Sequence, residues 1–168
     1  HANTELVQEL TENTVTGGVS MINRALAQLW TGKEEHELLM HDWYLGLLAA
    51  AFGNLVYIDR PGELYRQHSN NVLGARTLRK RVKNWVRPHV LFAKYWKLIK
   101  DSQTQARNLL SQPLTTENRE IIENFVTIME APFAERLRRI RKYGYRKNRA
   151  FHTLVFTTLI LTKFAYKE

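Results

Sequence analysis

Cysteine is missing from all 168 residues, which excludes disulfides and thiolate metal sites and is compatible with a reducing compartment. The opening "HANTELVQEL" lacks the basic and apolar regions of a signal peptide. It also lacks an initiating methionine, so the chain is expected to be a piece of a longer one. No internal repeat and no low-complexity segment is visible. The last apolar run, Phe151 to Thr162, holds about a dozen uncharged residues, short of the roughly 20 that cross a bilayer. The chain contains no Asp-x-Asp, no GxGxxG turn, and no glycine loop ending in Lys-Ser/Thr, so the familiar nucleotide-phosphate motifs are excluded.

The composition, 44% hydrophobic and 24% charged, is that of a globular chain long enough for one ordinary domain, or for a small one with an extension. Acidic residues are scarce in the second half. Residues 1–75 hold four Lys/Arg against nine Asp/Glu, a net −5, whereas 76–168 hold 21 against seven, a net +14. The break at "GARTLRKRVKNW" divides an acidic part expected to carry a site, 1–75, from a basic part expected to meet something negative, 76–168.

The elements are mostly helical. "NTELVQELTEN" reads as the end of a helix that "TVTGG" breaks. "VSMINRALAQLW" resumes it with Val19, Ile22, Leu26 and Leu29 at helical spacing. "HDWYLGLLAAAFG" is an apolar helix ending at Gly53. "NLVYID", the turn "RPG" and "ELYRQH" suggest a short β-hairpin. From Arg76 the pattern is helical, with Pro88 as a kink or break, Thr115 or Thr116 as a helix N-cap, and a break near Gly144. The expected class is α+β, predominantly α-helical.

Three stretches could carry chemistry. Asp42, at the mouth of the apolar helix, is either an N-cap or a carboxylate whose apolar surroundings suit a general base; the two roles are compatible. In "YRQHSNN", His68 could ligate a divalent metal and Arg66 could bind phosphate. No second ligand stands nearby, so a metal site there needs partners from elsewhere. Gly17 and Gly18 precede a helix, where a backbone can approach an anion closely, although a plain helix-breaking turn explains them as well.

Together, "TGGVSMINRAL" and "HDWYLGLLAAAFGNLVYIDRPGELYRQHSNNVLGAR" resemble the C-terminal half of a family 2 glycosyltransferase of the GT-A type. The likeness is greatest to the bacterial rhamnosyltransferase-like enzymes that build surface polysaccharides. It covers about residues 14 to 76; the remainder is similar only to the variable helical tail of such enzymes. The resemblance implies an inverting transferase that moves a sugar, rhamnose being one option, from a nucleotide-sugar to a polysaccharide or lipid-linked acceptor. It assigns Asp42 the deprotonation of the acceptor hydroxyl and Trp43 a wall of the acceptor site. Thr16, Gly17 and Gly18 match the segment closing over donor and acceptor, and His68 stands near the divalent metal (Mg or Mn) and the diphosphate. His41 departs from the acidic residue many relatives carry before the aspartate. The family's N-terminal nucleotide-binding half has no counterpart here, so no metal is expected on this chain alone.

The basic tail interleaves Trp85, Phe92, Tyr95, Trp96, Tyr143 and Tyr145 with Lys and Arg. Docking on an anionic membrane, peripheral at the cytoplasmic face, fits this pattern. Nucleic-acid binding is the weaker reading, because no recognition motif accompanies the charge. A solvated basic face packed on a catalytic domain is the plain one. The alternative to a transferase part is a freestanding basic helical module that binds membrane or nucleic acid.

Overall fold

In the computed structural model, residues 4–30, 38–62 and 88–166 are described. They form seven α-helices, α1 (Leu6–Glu9), α2 (Arg24–Trp30), α3 (His41–Phe52), α4 (Pro88–Arg107), α5 (Thr116–Val126), α6 (Phe133–Tyr143) and α7 (Ala150–Thr162), with short 3-10 turns at Gly17–Val19, Asn108–Ser111 and Ile128–Glu130. Among the described residues there is no strand.

The helix boundaries follow local chemistry. α4 is described from Pro88 onward; the helical stretch expected over 76–87, and with it the kink or break expected at Pro88, lies outside the described residues. Thr115 caps α5, its hydroxyl accepting from the Asn118 amide at 3.2 Å. Gly144 ends α6 in the left-handed region at φ 70°, which a residue without Cβ adopts at little cost. The helix after the glycine pair begins only at Arg24. Asn23 Oδ1 accepts from the Leu26 amide at 2.9 Å, so the polar Asn23 starts α2 and leaves Val19 and Ile22 exposed before it. Of the expected hairpin, Asn54–Asp59 is present without a strand ladder, and Val56, Tyr57 and Ile58 are exposed. β-branched and aromatic residues favour a strand only where a partner strand lies alongside. The other arm, 63–68, falls outside the described residues.

α3 is the centre of the core. It buries Trp43, Tyr44, Leu47, Leu48 and Ala51 against α1, α2 and α4. Most buried polar tips find partners, as burial demands, Arg136 Nε and Asn148 Oδ1 being the exceptions among the described residues. The Trp43 indole N–H donates to Glu9 O at 2.7 Å, Gln112 Nε2 donates to Tyr44 Oη at 3.2 Å, and Tyr145 Oη donates to Ile121 O at 2.6 Å. Gln105, wholly buried, accepts from the Leu39 amide and donates to Met40 O, which fixes the entry into α3. Buried Arg136 donates to Ala131 O at 2.6 Å and Leu161 O at 2.8 Å. It places a cation at the C-terminal carbonyls of α7, where the helix dipole favours one.

The charge boundary is not a gap in the packing. One hydrophobic cluster runs from Leu6 and Leu10 through Trp43 and Leu47 to Phe125 and Ile160. Polar ties cross it as well: Arg146 pairs with Glu5 at 2.6 Å, Thr11 Oγ1 donates to Arg146 O, Lys147 Nζ donates to Thr11 O, and the Asn148 amide donates to Glu12.

Candidate functional site

Asp42 is the second residue of α3; Met40 holds the N-cap position and makes no side-chain cap. The expected capping role for Asp42 is therefore corrected. Its carboxylate still satisfies one first-turn amide of α3, that of Trp43, from inside the helix, and otherwise faces the segment before α2. Oδ1 accepts from Asn13 Nδ2 at 3.2 Å and from the Trp43 amide at 2.7 Å, and Oδ2 meets the Gly17 amide at 3.4 Å. That last contact is long for a hydrogen bond, so Oδ2 is the less committed oxygen. The approach is close: a Cβ on Gly17 would stand 3.1 Å from Nε2 of the exposed His41 and 3.6 Å from Asp42 Cβ. Asp42 is thus joined in space to the Thr16–Gly18 segment, 25 residues away in the chain for Gly17.

Thr16, Gly17 and Gly18 are exposed. Thr16 O accepts from Ser20 Oγ at 2.7 Å and from the Val19 amide at 3.1 Å, which closes the 3-10 turn Gly17–Val19. Thr16 and Gly18 form one lip of an open groove of about 930 Å³, in the size range of small-molecule clefts; α3 supplies its floor through Leu45, Leu48 and Phe52, and residues 53–62 its far wall. Gly17 and Asp42 stand outside its lining, at the end of α3 where the lip begins.

Trp43 is elsewhere. It is only 6% exposed and bonded to Glu9 O, so its indole packs the core and leaves the groove wall to other residues. Arg66 and His68 lie outside the described residues.

Sequence reasoning passed over Glu9. It is wholly buried, and both carboxyl oxygens accept from the Thr14 amide at 3.0 and 3.2 Å, while the Thr14 hydroxyl donates to Oε1. Burial pushes its pKa up to about 7; the Thr14 donors oppose the rise, and Glu12 and Asp42 add to it. Glu9 sits three residues after Leu6 and just before Leu10, on the buried face of α1. That spacing is the sequence signal that could have found it. Glu9 and Asp42 grip the 13–17 segment from two sides, through Thr14 and through Asn13 and Gly17.

Among the described residues, no three His, Asp or Glu side chains stand together as metal ligands. The carboxylates beside the segment are engaged by donors of the protein itself. The divalent metal implied by the resemblance finds no ligand set in these described residues. Comparison with protein-family models, characterised proteins and solved structures finds no match to this chain.

Proposed function

We propose that this chain forms the acceptor side of an inverting glycosyltransferase, with Asp42 as the base. The observation that carries the reading is the meeting of Asp42 with Gly17. Two segments that resemble one enzyme family in sequence are adjacent in space, beside an open groove. In this reading Asp42 Oδ2 takes the proton of an acceptor hydroxyl. The acceptor oxygen attacks the anomeric carbon from the face opposite the nucleotide diphosphate, which leaves with the bonding electron pair. The Thr16–Gly18 segment covers the reacting sugar, with Asp42 at its Gly17 amide and Glu9 at the preceding Thr14. The family that the chain resembles binds the donor nucleotide and a divalent metal on an N-terminal half that has no counterpart in these residues. The basic part rests on an anionic membrane at its cytoplasmic face, where a lipid-linked glycan is presented.

The test is Asp42→Asn in the complete transferase that this reading calls for. Sugar transfer from a nucleotide-sugar donor should fall by the roughly 10²–10⁴-fold that loss of a general base brings, with donor binding near normal. Near-wild-type turnover would reduce Asp42 to a loop-holding residue and remove the reading.

A further inference from the structure

The closing helix α7, "AFHTLVFTTLILT", contains no Lys, Arg, Asp or Glu, yet only one side of it is covered. Phe156, Leu159 and Ile160 face the core, while Phe151 and Leu154 are 67% and 63% exposed. Thr158 and Thr162 are also exposed and share that outer side at helical spacing. Thr162 Oγ1 already donates to Thr158 O at 2.8 Å, so covering that hydroxyl leaves no unsatisfied donor. Just beyond the helix, Phe164 is 58% exposed against Phe92. Solvated helix faces ordinarily carry charge; this one carries two large apolar side chains and two threonines.

Cations bracket it. Arg149 precedes the helix and is exposed, and Lys163 follows it. Between residues 132 and 166 there are nine Lys/Arg and a single acidic residue, Glu135. A second copy of the chain would bring the same cations with it and set Arg149 and Lys163 against their like. An anionic bilayer surface answers both features at once: headgroups for the cations, and the acyl boundary for Phe151 and Leu154. Thirteen residues of helix are roughly 20 Å long, and among the described residues no helix is long and apolar enough to cross a membrane. The geometry points to α7 lying in the plane of an anionic lipid surface, with Phe151 and Leu154 inserted and Arg149 and Lys163 at the headgroups. This inference deepens the membrane part of the reading above and is independent of glycosyl transfer.

The absence of native cysteine makes the experiment clean. The chain is labelled with an environment-sensitive fluorophore at Leu154→Cys or, as a reference on α5, at Glu117→Cys. Each is mixed at low salt with vesicles of phosphatidylcholine, or of phosphatidylcholine with phosphatidylserine. The Leu154 label should shift to the blue only with the anionic vesicles, and the Glu117 label with neither. Leu154→Asp and Phe151→Asp, both at exposed positions and checked for folding by circular dichroism, should each weaken vesicle binding about tenfold or more. Binding to anionic vesicles with a silent Leu154 label would overturn the inference while leaving membrane docking standing through another surface. Absence of binding at low salt would overturn both. A blue shift that grows with protein concentration and needs no lipid would assign the face to a second copy instead.

Discussion

The Glu9 carboxyl accepts from Thr14 in a setting that excludes water, and the two facts pull its protonation in opposite directions. Burial prevails, and the pKa stands at about 7 against the ordinary 4.5. A carboxyl with a raised folded-state pKa holds its proton more tightly folded than unfolded. Stability is therefore highest below the unfolded value and falls as pH rises toward the folded one. Glu9 should remove on the order of 3 kcal/mol between about pH 4.5 and about pH 7, with Glu12 and Asp42 nearby adding to the repulsion once it ionises. Glu9→Gln should flatten that slope and raise stability relative to the parent at pH 8. Denaturant melts of both proteins across this range check it; parallel pH profiles would mean that Glu9 is effectively solvated. The same residue scale separates Asp42 from Trp43: adjacent in sequence, one reaches the glycine segment and the other the core.

Helix α3 meets the 13–17 segment where α3 has no side chain, at Gly46. A Cβ built there would stand 2.8 Å from Val15 Cγ2 and 3.5 Å from Glu9 Oε1. Valine is short and stiff at χ1, so it has little room to turn aside. Gly46→Ala gains about 1 kcal/mol in helix propensity but forces an overpacking that costs about 1–3 kcal/mol. The expected net is a loss of about 1 kcal/mol, seen as a Tm lower by roughly 2–4 °C. Because Val15 lines the groove and follows Asn13 and Thr14, the lip should shift with it. A Tm that rises instead would mean that the segment yields freely and is not held against α3.

Across the whole molecule, the acidic and basic parts are one packed body among the described residues. The core cluster holds Leu6, Trp43 and Leu47 from one and Trp96, Phe125 and Ile160 from the other. The Gln105 and Gln112 side chains reach from the basic part to Met40 and Tyr44, and Asn118 Nδ2 donates to Ala51 O at 2.8 Å. Unfolding should accordingly be cooperative. With Trp30 and Trp85 replaced by phenylalanine, Trp43→Phe leaves Trp96 as the sole tryptophan and Trp96→Phe leaves Trp43. After allowance for each variant's own stability by circular dichroism, the fluorescence midpoint in urea should coincide with the circular-dichroism midpoint in both proteins. A Trp43 signal lost well before the helical signal would divide the chain into separately folding units.

Much of the helical plan was determined by the sequence itself. Gly53, Thr115 and Gly144 mark helix ends through backbone chemistry that acts within a few residues, so they are legible without any neighbour. The apolar run of α3 likewise announced a buried helix, and the short, uncharged run of α7 announced one that does not span. Tertiary structure decided what needed a partner from far along the chain. Asn54–Asp59 has strand-forming residues and no described strand to pair with. Asp42 has the composition of a cap and, besides the Trp43 amide of its own helix, contacts Asn13 and Gly17, and Trp43 is drawn inward by Glu9 O. Glu9 reads as one more glutamate on a helix and is wholly buried, and Phe151 and Leu154 belong to an apolar run whose covered side the sequence leaves open, and they are exposed. Local rules fix where a helix starts and stops, because capping and φ restrictions are short-ranged. Which face it buries depends on what packs against it, and that is settled only when distant segments meet.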